Sequence, residues 1–201
     1  MHPALHSVLI LCGGRGERLG GIDKPLRPLA GRPLIEHVLA MLAPECANVV
    51  ISANRHADQY RAYADTVVDD GIRIDYGPLA GLLAGLAAAR CDDVLCIPGD
   101  APLLPPDLYR RLDAARIREG CRLAVVDDGD GLQPLCLLLP RAEASSLTAF
   151  AEEGGRAVHR WLATRPHARC DCSNWPRWGW SLNTEDEWRA AEQKIEQESR
   201  R

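Results

Sequence analysis

Along the first half of the chain, short apolar runs alternate with longer segments whose apolar residues recur at helical spacing. The runs at 7–12, 48–52, 66–68 and 93–97 are rich in Val, Ile and Leu, with apolar residues at consecutive positions behind a polar first residue. Strands covered on both faces have that pattern, whereas half-exposed strands alternate. Between the runs, residues 33–43, 55–64 and 79–90 read as helices, and 105–119 follows as a fourth. Pro33 is expected at the first helical position, where its missing N–H has no partner to lose, and Pro105 opens the fourth helix. This alternation predicts an α/β chain: a Rossmann-like, doubly wound, mainly parallel sheet with helices on both faces.

Beyond residue 120 the pattern is less regular. Residues 122–126 and 132–139 read as strands on either side of the acidic turn Asp127-Asp128-Gly129-Asp130-Gly131. Two strands across a glycine-bearing turn predict a small antiparallel excursion from the parallel sheet. Thr184, with Glu187 three residues on, forms a capping box that opens a last helix. No internal repeat and no long linker divides the sequence, so residues 1–201 are expected to form a single domain.

Composition narrows the function classes. A net charge of -4 leaves no basic surplus for a nucleic-acid backbone. The first apolar run is too short for a signal-peptide core or a membrane span, and a cytoplasmic location is expected. Of the eight cysteines, Cys96 and Cys136 sit in apolar runs and read as small hydrophobes. Cys170 and Cys172 form a C-x-C near His167, without the fourth ligand that structural zinc needs. Reduced, unbridged thiols are the expectation.

The first strand runs directly into a segment with glycine at 13, 14, 16, 20 and 21. Beyond the carboxyl end of a strand in an open α/β sheet, such a loop lets backbone N–H groups approach a phosphate closely. Two familiar phosphate motifs fail here. A dinucleotide G-x-G-x-x-G from Gly14 meets Leu19 where the last glycine belongs, and no Gly-Lys pair exists for a P-loop. Lys24 follows the loop and can neutralise phosphate charge, including that developing on a leaving pyrophosphate. Asp100 follows the run 94–97, at the carboxyl end of a strand, where a carboxylate suits a hard cation such as Mg²⁺.

The string from Gly13 to Leu26, with Gly20-Gly21-Ile22-Asp23-Lys24-Pro25-Leu26 at its end, resembles the N-terminal signature of the molybdenum cofactor guanylyltransferases. The likeness continues through Gly31-Arg32-Pro33-Leu34, Ser52-Ala53-Asn54-Arg55, Gly77-Pro78-Leu79-Ala80-Gly81, Pro98-Gly99-Asp100-Ala101-Pro102 and Ser181-Leu182-Asn183-Thr184. It spans nearly the whole chain in the family's order. Three positions depart from the pattern: Ser52 and Ser181 stand where asparagine is usual, and Gln133-Pro134 where a His-Pro is expected near the pterin.

The resemblance implies a nucleotidyltransferase fold, with a nucleotide-binding half at about 1–105 and an acceptor-side half at about 106–201. It implies transfer of GMP from GTP to molybdopterin with Mg²⁺ as cofactor, and molybdoenzymes or their chaperones as candidate protein partners. Carried over residue by residue, Lys24 and Asp100 are catalytic. Leu11, Cys12, Gly13, Gly14, Lys24, Ser52, Asp70 and Asp100 bind nucleotide, and Asp100 holds the metal. Asp69 competes with Asp70 for its place, and Arg15 and Arg18 are candidates to close over the triphosphate. Guanylyl members resemble this chain in carrying glycine at both positions 13 and 14, whereas cytidylyl relatives usually have alanine first. The rival readings are a cytidylyltransferase for the same pterin and a non-catalytic GTP-binding regulator. A sugar-phosphate nucleotidyltransferase is further off, because a longer chain and a longer spacer before the lysine would be expected.

Overall fold

The computed structural model describes residues 5–12, 23–42, 44–69, 71, 76–175 and 181–199. Its elements are β1 (His6–Leu11), β2 (Pro28–Leu29), β3 (Arg32–Pro33), α1 (Leu34–Ala40), β4 (Cys46–Ser52), α2 (Ala57–Tyr60), β5 (Thr66–Val68) and α3 (Pro78–Ala88). They continue as β6 (Asp93–Pro98), α4 (Leu108–Glu119), β7 (Leu123–Asp127), β8 (Leu132–Pro140), α5 (Ala144–Glu152), α6 (Val158–Leu162), β9 (His167–Asp171) and α7 (Glu185–Ser199).

The main sheet has the order β5-β4-β1-β6-β8-β7-β9. The pairs β5–β4, β4–β1, β1–β6 and β7–β9 are parallel, and β8 runs antiparallel to both its neighbours. The excursion expected around the acidic turn is therefore this one reversed strand. Consecutive residues of β1 explain why Val8 to Leu11 are all apolar. Val8 and Ile10 join a core under α1, α4 and α7, with Leu34, Leu112 and Trp188. Leu9 points the other way, into a core under α3, α5 and α6, with Leu82, Leu147 and Trp161. Gly85 lets α3 lie close on β1, because a Cβ there would come within 2.2 Å of the Leu9 side chain. Among the described residues no helix is long and apolar enough to cross a membrane.

Several expected boundaries shift for local reasons. Pro33 is the N-cap of α1, not its first residue: its ψ of 138° is extended, and it pairs with Pro28 in the small hairpin. The helix expected at 55–64 shrinks to α2, preceded by His56 in the left-handed region at φ 54° and followed by tight turns through Tyr63. The helix expected from Pro105 begins at Leu108, after a turn in which the Leu108 N–H donates to the Pro105 carbonyl. The capping box forms as read. The Glu187 N–H donates to Thr184 Oγ1 at 3.2 Å, and the Thr184 N–H donates to Glu187 Oε2 at 2.9 Å.

Candidate active site

β1 is the switch point of the sheet, with β4 on one side and β6 on the other. Ligand crevices of open α/β sheets lie at the carboxyl ends of strands at such a point. The register places the last residues of the three strands side by side, Leu11 beside both Ser52 and Pro98. The chains leave the sheet together: the Cys12 N–H donates to the Ser52 carbonyl at 2.8 Å, and the Gly99 N–H to the Leu11 carbonyl at 2.9 Å. This packing brings Leu11, Cys12, Ser52 and Asp100 into one neighbourhood. Gly13, Gly14, Arg15, Arg18 and Asp70 lie outside the described residues.

Gly99 sets how closely the strands' exits approach. A Cβ at this position would meet Cys12 Sγ at 2.7 Å, Pro25 Cγ at 3.1 Å and the Leu11 carbonyl oxygen at 3.3 Å. Two of those three neighbours belong to Leu11 and Cys12, just before the glycine segment, so a methyl group there needs the buried Cys12 thiol to shift and crowds the Leu11 carbonyl. Gly99→Ala is expected to lower stability by about 1–3 kcal/mol, the usual cost of overpacking. A urea midpoint unchanged from the parent would refute the crowding argument.

Lys24 follows Asp23 in a 3₁₀ turn, and its ammonium meets three acceptors. Nζ lies 2.9 Å from the Leu182 carbonyl, 2.9 Å from Asn183 Oδ1 and 3.5 Å from Asp100 Oδ2. Ser181 Oγ donates to the same Asp100 oxygen at 3.0 Å, and the Leu182 N–H donates to the Asp100 main-chain carbonyl at 3.1 Å. The segment before α7 therefore closes over both residues. Asp100 Oδ1 takes no hydrogen bond among the described residues, and the side chain stays 24% exposed.

Among the described residues no group of three or more His, Cys, Asp or Glu side chains is placed to hold a metal. A partly exposed carboxylate with one oxygen that takes no hydrogen bond among the described residues nonetheless suits Mg²⁺, which usually keeps several waters and is bound by one or two carboxylates plus substrate phosphates.

The other sequence candidates have distinct surroundings. Cys12 is buried, and burial first, then the Asp23 carboxylate, pushes its thiol far above the ordinary range. It is a packing group, not a nucleophile, because the thiolate is the reactive form. Asp23 itself is pushed up by burial. Ser52 is buried, and its carbonyl accepts the Cys12 N–H just before the glycine segment. The Asp69 carboxylate accepts the Gly71 N–H at 2.8 Å, so it is tied to its own turn. Gln133 donates to Asp128 Oδ2 at 2.7 Å, which fixes it to the acidic hairpin. All eight thiols are free, and Cys170 and Cys172 lie with their sulfurs 3.8 Å apart under α4.

Gly99, Ser181, Leu182, Asn183 and Glu187 belong to this arrangement without having been singled out as site residues in the sequence. The signal for the last four was present as the Ser181-Leu182-Asn183-Thr184 segment running into acids, but nothing in the sequence says which strand end it meets.

Comparison with known proteins places the arrangement in a family. The model for the MobA-like NTP transferase domain matches residues 8–169. A molybdenum cofactor guanylyltransferase of Acidovorax sp. (strain JS42) is 42% identical over 170 residues, 80% of each chain. One from Shewanella loihica is 35% identical over 187 residues, covering 93% of this chain and 95% of the relative. The crystal structure of molybdopterin-guanine dinucleotide biosynthesis protein A from Archaeoglobus fulgidus superposes with a TM-score of 0.76 at 22% identity, covering 95% of this chain and 99% of that one, which shows the shared fold. With the family model matching from the first strand to the last and relatives 35% and 42% identical over most of the chain, the chain belongs to the molybdenum cofactor guanylyltransferase family.

Proposed function

We propose that the chain transfers GMP from GTP to the terminal phosphate of molybdopterin and releases pyrophosphate. The observation that carries the reading is the pairing of Lys24 with Asp100, 3.5 Å apart beyond the carboxyl ends of β1 and β6, in a chain of this family. A phosphate oxygen of the acceptor forms a bond to the α-phosphorus of GTP. The bond from that phosphorus to the oxygen bridging the β-phosphate breaks, and its electron pair leaves with pyrophosphate. The nucleophile is already ionised, so no side chain has to take a proton from it.

What remains for the protein is orientation and charge. Asp100 would hold Mg²⁺, which would supply positive charge against the triphosphate. Lys24 answers the negative charge that grows on the leaving pyrophosphate. Leu11, Cys12, Gly13, Gly14, Ser52 and Asp70 form the nucleotide side, within residues of about 1–105. The acceptor side falls to about 106–201, and Lys24, held by Leu182 and Asn183, stands at the seam between the two.

The base preference rests on Gly13 and Gly14. A purine is wider than a pyrimidine, and a glycine removes the methyl group that would crowd the base edge. We expect kcat/KM for GTP to exceed that for CTP and ATP by at least about 100-fold with the same pterin acceptor, since a site built around one base's hydrogen bonds leaves groups unpaired with another. Gly13→Ala should lose GTP use and gain CTP use. Equal use of GTP and CTP by the parent would favour a cytidylyltransferase instead.

A further inference from the structure

The cradle that receives Lys24 is itself held by residues outside the nucleotide site. Lys24 has three N–H donors, and the described residues offer three acceptors: the Leu182 carbonyl, Asn183 Oδ1 and Asp100 Oδ2. The two contacts to the segment before α7 are short and the one to Asp100 is long, so the contact that yields most readily to an incoming phosphate is the one to Asp100. An exchange of that kind leaves the ammonium anchored on Leu182 and Asn183 and turns its third N–H to the ligand. Asp100 Oδ2 then keeps only the Ser181 hydroxyl among the contacts described.

The position of those two anchors depends on Glu187. Its Oε2 accepts the Asn183 N–H at 2.7 Å and the Thr184 N–H at 2.9 Å, both on the stretch that carries the anchors. Burial raises the Glu187 carboxyl, but the Asn183 and Thr184 N–H contacts, the Thr184 hydroxyl and Lys24 together bring it below its ordinary value. A second tie comes from the other side. Arg27, whose N–H closes the turn onto the Lys24 carbonyl, meets Glu185 through both terminal guanidinium nitrogens at 2.8 and 3.0 Å, and its guanidinium carbon lies 4.2 Å from the Trp188 ring centroid. The turn bearing Lys24 and the first turn of α7 are thus fastened together.

We propose that Glu187 is a positioning residue for Lys24: it fixes the Leu182 and Asn183 acceptors so that the ammonium is aimed at the triphosphate when Asp100 lets go. This inference rests on the reading of Lys24 as the phosphate-binding cation.

The test measures GTP and guanosine binding by titration calorimetry with Mg²⁺ on the full chain. Glu187→Ala is expected to weaken GTP about tenfold, within the range for residues sharing a hydrogen-bond network, and to leave guanosine within about twofold. Glu187→Gln, which keeps an oxygen for the two N–H groups, restores most of the loss. The double variant Lys24→Ala/Glu187→Ala binds GTP no more weakly than Lys24→Ala alone. Arg189→Gly weakens the same helix on its exposed face and keeps the parent's ratio of GTP to guanosine affinity.

Additive losses in the double variant, equal losses for guanosine, or the same loss from Arg189→Gly would overturn the proposal and leave Glu187 a helix cap. A parent protein that binds none of GTP, CTP and ATP would overturn the proposed function and this inference together.

Discussion

Asp100→Asn is expected to lower turnover by about 1000-fold or more at saturating Mg²⁺, the scale of several kcal/mol of transition-state stabilisation from a bound metal. The substitution keeps the shape of the side chain and removes the charge a hard cation requires. Folding should be little affected. The Leu182 N–H is held by the main-chain carbonyl of Asp100, which the substitution does not touch, and an asparagine oxygen still accepts from Ser181. Binding of GTP without metal gives a sharper reading than turnover alone. Removing a carboxylate beside the triphosphate takes away repulsion, so metal-free GTP should bind the variant as tightly as the parent or more tightly. Near-parental turnover in a pyrophosphate-release assay would end the metal assignment for Asp100. Weaker metal-free binding would mean that the carboxylate organises the site through Lys24 and Ser181 instead.

The parallel half of the fold was legible because its strands are buried on both faces. Val8, Leu9 and Ile10 serve two cores at once, and the same holds for Leu95 and Cys96 in β6. A continuous apolar run is the direct consequence, and it is visible without coordinates. β9 gave no such signal. It pairs through only one of its edges with the sheet, and only Ala168 and Cys170 are buried within it while His167, Arg169 and Asp171 face outward. Two small residues among polar ones do not announce a strand, so the segment read as a C-x-C with a nearby histidine. The helices α5 and α6 are short and depend on Leu147, Val158 and Trp161 reaching the core under α3. Their helical character comes from tertiary packing more than from a periodic pattern. Pro33 shows the opposite case, where a valid local rule placed the proline one position too far into the helix because the hairpin partner Pro28 was not visible from the sequence.

The site divides in the same way. Spacing from a buried run located Asp100, and the glycine-rich segment pointed to Lys24. Their meeting across 76 residues of sequence is a tertiary contact, which no local pattern encodes. Gly99 looked like part of a motif, but the reason for it is the thiol of Cys12, 87 positions earlier in the chain and less than 3 Å from where its Cβ would be. The return of residues 181–183 onto Lys24 is likewise a tertiary event. The capping box said that a helix starts there and nothing about what its carboxylate steadies.

Lys24→Ala is expected to lower kcat about 100- to 1000-fold, the cost of deleting one preorganised partner for developing charge. KM for GTP should rise by less. Charge on the leaving pyrophosphate is greater in the transition state than in bound GTP, so the missing ammonium is felt more in kcat than in binding. The fold should survive, because the side chain is 22% exposed and water can reach the Leu182 and Asn183 acceptors it leaves behind. Lys24→Arg should recover only part of the loss. Three acceptors gathered around one ammonium nitrogen do not match a planar guanidinium, whose donors fan out over a wider span. The measurement is kcat and KM for GTP in the parent and both variants, with guanosine binding measured alongside. A rise in KM with kcat unchanged would make Lys24 a ground-state binder of the phosphates and move the stabilisation of the leaving group elsewhere. Equal losses of affinity for GTP and guanosine would place its effect on the base or on folding, and full recovery in Lys24→Arg would show that charge alone, without the cradle's geometry, is what the reaction needs.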